Sequence, residues 1–244
     1  MKIVATIEAR MTSSRLPGKV LLEVLGKPMI EHLINRLKQV PSLNEIVIAT
    51  TINKEDDRLE FLAKKLEVMC YRGSEEDVMA RVIEAGDSCN ADIIVEITGD
   101  CPIIDPQIIE QAIRIFKFNN ADYVSNAHIR SYPDGMDVQV FNIKTLKRSS
   151  KMTKDPLDHE HVTLHIRNHP DIFSHIHLVA PPKDFWPELG LTLDEQKDYE
   201  LLKKIMEYFG LDNPYFSCSE VIHLLKGAPE WAAINSDVIR KGDT

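Results

Sequence analysis

Four times between residues 2 and 118 the chain passes from a short apolar run to a stretch with apolar side chains at helical spacing. The apolar runs are residues 2–7, 45–50, 68–71 and 92–97. Such runs suit buried strands, and strands alternating with helices predict a parallel sheet covered on both faces. After the first run, Ile30, Leu33, Ile34, Leu37 and Val40 recur behind Pro28, which suits a first helical turn. Leu59, Leu62 and Leu66 mark a second helix over 56–66. Residues 74–77 open a third, with the Ser74 hydroxyl at the cap and acids in the first turn. Pro106 starts a fourth, running to about 118, with Asp105 as its N-cap.

Beyond residue 120 the pattern changes. Residues 122–125 and 136–141 read as strands joined by a turn-rich loop, and 144–150 and 157–168 read as helices. Residues 173–179 alternate apolar and polar side chains, as a half-exposed strand does. Pro181 and Pro182 break the chain, and 196–209 forms a helix with Leu201, Leu202, Ile205 and Phe209 on its core face. Further helical segments are expected at 219–226 and 230–240. There is no internal repeat and no clear linker. The fold class is therefore α/β, a single doubly wound, mostly parallel sheet with a modified second half.

The chain has 244 residues, enough for one large α/β domain. Its formal charge of −9 argues against a general binder of nucleic acid or membrane surface. No apolar run approaches the ~20 residues of a membrane span. The N-terminus reads as a first strand, not as a signal peptide. Cys70, Cys89, Cys101 and Cys218 have neither C-x-x-C nor zinc spacing. Reduced thiols in a cytoplasmic protein are the expectation.

Against that acidic background the segment after the first strand stands out. Arg10, Arg15 and Lys19 fall within ten residues, with Thr12, Ser13 and Ser14 between them and a Pro17-Gly18 turn behind. Cations, hydroxyls and free backbone N–H groups together can hold a polyanion; a solvated basic loop is the plainer alternative. Position favours the first, because ligands of such folds bind where strands end. The loop is not a Walker motif: Ser13 stands where the first glycine belongs, and Val20 follows Gly18-Lys19 where Ser or Thr would bind Mg²⁺. A G-x-G-x-x-G fingerprint is also lacking. Metal ligands for a triphosphate must come from elsewhere.

Asp100, in T-G-D-C-P after the fourth run, would sit at the same crevice. Mg²⁺ uses few protein carboxylates and completes its shell with phosphate oxygens and water. Asp194 offers a second carboxylate, with helix capping as its alternative role. Arg72, Ser74 and Arg81 follow the third run and are placed to read a base or touch phosphate, although a capped helix start explains Ser74 equally well. His161 and His165 are four apart, as on one helix face, but no H-E-x-x-H or third ligand accompanies them. A substrate-binding helix or ordinary surface is the better expectation.

Taken together, these motifs resemble those of the CMP-sugar cytidylyltransferases. A-R-M-T-S-S-R-L-P-G-K (residues 9–19) looks like their opening motif. Y-R-G-S-E-E-D-V (71–78), I-T-G-D-C-P-I-I-D-P (97–106), Y-P-D-G-M-D-V (132–138) and E-H-V-T (160–163) are similar to the spore coat polysaccharide biosynthesis type, relatives of the CMP-KDO synthetases. The resemblance covers roughly residues 1–210 and leaves 211–244 as a C-terminal helical extension of the same domain. It implies transfer of CMP from CTP to a sugar, a 2-keto-3-deoxy sugar acid being the expected acceptor, with release of pyrophosphate. It also implies Mg²⁺ as cofactor and a homodimer. Carried over, Ala9, Arg10, Ser13, Arg15 and Lys19 match the triphosphate loop, Asp100 the metal acid, and Asp194, more loosely, the second metal acid. Arg15, Lys19 and Asp100 would be catalytic, and Asn126, Asp137 and His161 would contact the acceptor. Val20 and Thr98 depart from the KDO enzymes, which have Pro and Gln there. A sugar phosphate as acceptor and a non-catalytic nucleotide-binding protein are the alternatives.

Overall fold

The computed structural model describes residues 1–240. β1 (Ile3–Glu8) is followed by a two-stranded ribbon, β2 (Glu23–Val24) and β3 (Lys27–Pro28), and by α1 (Met29–Leu37). Then come β4 (Glu45–Thr51), α2 (Asp57–Lys65), β5 (Met69–Gly73), α3 (Val78–Ser88), β6 (Ile93–Thr98) and α4 (Pro106–Phe118). The second half holds β7 (Tyr123–Ser125), β8 (Gln139–Asn142), α5 (Ile143–Met152), α6 (Pro156–Glu160), α7 (Leu164–Asn168) and β9 (His175–His177). It ends with α8 (Gln196–Phe209), α9 (Cys218–Gly227) and α10 (Pro229–Ala232).

The main sheet has the order β5-β4-β1-β6-β8-β7-β9. β5, β4, β1 and β6 are parallel; β8 runs antiparallel to both β6 and β7, and β9 pairs parallel with β7. Side-chain alternation sends Ile3, Ala5 and Ile7 of β1 into the core beneath α1, α2, α4, α8 and α9. Val4 points into a second core under α3, α5 and α7. Both faces are thus covered, as the unbroken apolar runs of the first half require.

Several expected boundaries shift. Pro28 ends β3 and directly precedes α1 rather than lying in its first turn. Asp77 caps α3 by accepting from the Ala80 N–H, while the Ser74 hydroxyl accepts the Asp77 N–H one turn earlier. The helix expected over 157–168 is two short ones broken at residues 161–163, where Thr163 donates to Gln139 of β8. Of 230–240, only the start is helical: Asn235 turns its amide into Gly190 O and Asp198, which draws the backbone out of the helix. Cys70, Cys89, Cys101 and Cys218 are unpaired.

Candidate active site

From β1 the chain moves outward to β4 and β5, then returns to β6 on the other side of β1. The switch point therefore lies between β1 and β6, and the loops after these two strands face one another there. A cavity of about 390 Å³ opens between them.

Its basic wall is the loop 9–19. The Met11 N–H donates to Asp56 Oδ1 at 2.7 Å, and Asp56 is fully buried, holding the Thr51 N–H and hydroxyl with its other oxygen. Gly18 N–H closes the loop onto Met11 O at 2.9 Å. This fold-back returns Arg15 and Lys19 to the cavity beside Ala9, Arg10 and Ser13. Arg10 and Thr12 also donate to Glu75, at 3.1 and 2.8 Å.

The acidic wall begins at the tip of β6. Gly99 N–H donates to Glu8 O at 2.9 Å, so β1 and β6 stay paired to their ends. A Cβ on Gly99 would stand 2.8 Å from that carbonyl, which is why the position takes glycine. Asp100 follows, its Oδ1 accepting from the Thr98 hydroxyl at 2.6 Å. The Leu193 N–H donates to Asp100 O at 2.8 Å and brings Asp194 alongside. Asp194 does not cap α8. Glu195 and Asp198 form a reciprocal capping box, and Asp198 accepts the Asp194 and Glu195 N–H groups. The Asp194 carboxylate is left for the cavity.

Lys19 Nζ sits between the two acids, 3.0 Å from Asp100 Oδ2 and 2.9 Å from Asp194 Oδ1. Arg15 Nη2 adds a contact of 2.7 Å to Asp194. Burial pushes the Asp100 carboxyl up, but the Lys19 ammonium and the Thr98 hydroxyl together overcome it and hold Asp100 below the ordinary range. Burial in turn opposes the Lys19 charge, and the two acids overcome it and raise its pKa. Asp137, which lines the cavity beside Asp134, is pushed up to about 7 by burial and by that neighbour.

Of the other expected residues, Arg81 and His161 line the cavity, and the Arg81 guanidinium donates to Ser74 O. Arg72 is a correction. Its guanidinium turns towards α2, donating to Thr51 O, Asn53 O, Asp57 and Glu60, because acids in the first turn of α2 and two open carbonyls meet it there. Ser74 is likewise spent on the turn before α3. Asn126 is buried, donating to Met136 O and accepting the Val138 N–H, so it shapes the loop after β7 and does not line the cavity. His165 is buried, its Nδ1 2.9 Å from Ser149 Oγ, and it does not line the cavity.

Glu8, Asp134, Thr192 and Arg240 line the cavity without having been singled out. Asp134 could have been found from the same Y-P-D-G-M-D run as Asp137; Arg240 carries no sequence signal. Among the described residues no group of three or more His, Cys, Asp or Glu is arranged to hold a metal ion. The pair Asp100 and Asp194 already encloses a positive charge. Two carboxylates suit Mg²⁺, which takes the rest of its shell from phosphate and water, better than zinc.

A family model described as cytidylyltransferase matches residues 4–220. The chain is 34% identical over 235 residues to the spore coat polysaccharide biosynthesis protein SpsF of Bacillus subtilis, covering 94% of this chain and 96% of that one. It is 35% identical over 130 residues to the 3-deoxy-manno-octulosonate cytidylyltransferase of Geobacter metallireducens, covering 53% and 48%. Among solved structures, a cytidylyltransferase from Leptospira borgpetersenii superimposes with a TM-score of 0.90 at 31% identity, over 95% of this chain and 97% of that one.

Proposed function

The chain belongs to the cytidylyltransferase family, and on that premise we propose that it transfers CMP from CTP to a hydroxyl of a 2-keto-3-deoxy sugar acid, for surface polysaccharide biosynthesis. The enclosure of Lys19 by Asp100 and Asp194 carries this reading. It joins the end of the basic loop to the two acids at a single point, as transfer at the α-phosphorus of a triphosphate demands. The sugar-acid acceptor draws its support from the partial likeness to the octulosonate enzyme, and the polysaccharide role from the full-length likeness to SpsF.

In this reading the phosphates lie along residues 9–19. Ser13 and the loop N–H groups donate to phosphate oxygens, and Arg10, Arg15 and Arg81 neutralise their charge. The acceptor oxygen bonds to the α-phosphorus as the bond to pyrophosphate breaks, and the hydroxyl proton leaves to solvent. Lys19 and Arg15 stabilise the charge that gathers on the departing pyrophosphate. Asp100 and Asp194 would hold Mg²⁺, which when bound supplies charge neutralisation at the α-phosphate and lowers the pKa of the acceptor hydroxyl. Asp137 and His161, which also line the cavity, orient the acceptor. The protein's contribution is positioning and electrostatics rather than covalent chemistry.

The reading also makes the enzyme a cytoplasmic homodimer, working where CTP is made; size-exclusion chromatography with light scattering tests the dimer. Among the described residues no helix is long and apolar enough to cross a membrane. The function itself is tested by a pyrophosphate-release screen of the four nucleoside triphosphates against sugar acids and sugar phosphates. Turnover with CTP and a sugar acid supports it. Turnover with sugar phosphates alone would move the acceptor class, and CTP binding without turnover would favour a non-catalytic role.

A further inference from the structure

Residues 233–240 follow α10 and run back towards the cavity. They form a short arm that reaches the cavity at Arg240. Asn235, 4% exposed, fixes its base by donating to Gly190 O at 2.9 Å and Asp198 Oδ1 at 2.7 Å. Further on, Arg15 Nη1 donates to Ile239 O at 3.1 Å, so the arm touches the basic loop. Its next residue crosses to the acidic wall. Arg240, 8% exposed, places Nη2 2.9 Å from Asp198 Oδ1 and Nε 3.5 Å from Asp134 Oδ2. Its Nη1 donates to the Thr192 hydroxyl and lies 3.9 Å from Asp194 Oδ2. The guanidinium lies flat against Gly190, where a Cβ would stand 1.7 Å from Nη2.

Five carboxylates gather at this wall: Asp100, Asp134, Asp137, Asp194 and Asp198. Asp198 is fully buried and its charge needs a buried partner. Asp134 and Asp194 face the cavity, where uncompensated charge would repel a triphosphate. A planar guanidinium with five donors can serve three acids and a hydroxyl at once, which an ammonium cannot.

We propose that Arg240 is a positioning residue for nucleotidyl transfer, acting through Asp194 and Asp134. The arm inserts a fixed cation among the acids, so that Asp194 keeps its orientation beside Asp100 and the wall admits the nucleotide's phosphates. This rests on the transfer reading above. It also gives the C-terminal extension a part in the site: the arm links the phosphate loop, through Arg15, to the acids, through Arg240.

The test compares Arg240→Ala, Arg240→Lys and a control, Asp237→Asn, which removes only the arm's exposed ion pair with Lys197. CTP affinity is read by calorimetry, turnover by pyrophosphate release, and folding by thermal denaturation. Arg240→Ala is expected to lose at least about ten-fold in kcat/KM, the size of effect one missing charge-assisted contact produces. CTP affinity falls with it. Free guanidinium ion at subdenaturing concentration restores several-fold of the lost turnover and urea does not, a response that a merely structural role would not give. Arg240→Lys stays well below the wild type, and Asp237→Asn stays within about two-fold of it. A folded Arg240→Ala protein with unchanged CTP affinity and turnover overturns the proposal, as does a loss that follows thermal stability alone and ignores guanidinium. If the wild type itself turns over no acceptor, the transfer reading fails separately, and CTP affinity still decides the role of Arg240.

Discussion

Lys19 and Asp194 are separated by 175 residues in the chain and by 2.9 Å in the fold. The contact needs two local devices. The Gly18–Met11 backbone bond folds the loop back, and the Leu193–Asp100 bond lays the segment before α8 along the tip of β6. Removal of the ammonium leaves two carboxylates facing each other across a gap with less positive charge. Lys19→Met should therefore lower the rate of pyrophosphate release about 10²–10³-fold, as loss of a preorganised charge at a developing anion does. Single-turnover kinetics at saturating CTP checks it, and a change under five-fold would remove Lys19 from the mechanism.

Asp56 anchors the start of the same loop from beneath. Asp56→Ala strands the buried Met11 and Thr51 N–H groups together with the Thr51 hydroxyl. A loss of about 2–4 kcal/mol is expected in urea denaturation, from unsatisfied buried donors. KM for CTP should rise as well, because the loop entry is no longer fixed. Loss of stability with unchanged KM would mean that the loop is held by its other contacts.

Glu8 and Glu96 form a buried acid pair on the α3 side of the sheet. Burial, with each carboxyl beside the other, pushes Glu8 up; Glu96 is pushed up to about 7, chiefly by burial. The native state thus holds a proton on Glu96 that the unfolded chain releases above its ordinary value of 4.5. The associated stability is present below that value and is lost as pH rises through about 7. Glu96→Gln removes this dependence while keeping a carbonyl oxygen to accept from Gln139. Relative to the variant, the wild type should lose on the order of 2–3 kcal/mol between about pH 5 and about pH 8. Parallel stability curves for the two proteins across that range would contradict the assignment.

The first half of the molecule was legible because its strands and helices announce themselves by unbroken apolar runs and by 3.6-residue periodicity. Both depend on burial, which the sheet supplies on each face. The basic loop and Asp100 followed from their places at strand ends. Beyond residue 120 the signals weaken: β7 and β9 are three residues each, and β8 is four. The break at residues 161–163 is set by a tertiary bond from Thr163 to Gln139, which no local pattern reports. Arg72 was misplaced because position after a strand says nothing about which way the side chain turns. The acids Asp57 and Glu60, already visible in the sequence, hold it on the α2 side. Arg240 was invisible because its partners lie 42 to 106 positions away, set by the arm's fold alone.

The central claim is that nucleotidyl transfer occurs where Asp100 and Asp194 enclose Lys19. Its most direct test is pyrophosphate release from CTP and Mg²⁺ by Asp100→Ala, with an acceptor that the wild type turns over. Turnover should fall to background while thermal denaturation shows a folded protein. Full turnover by that variant would contradict the account.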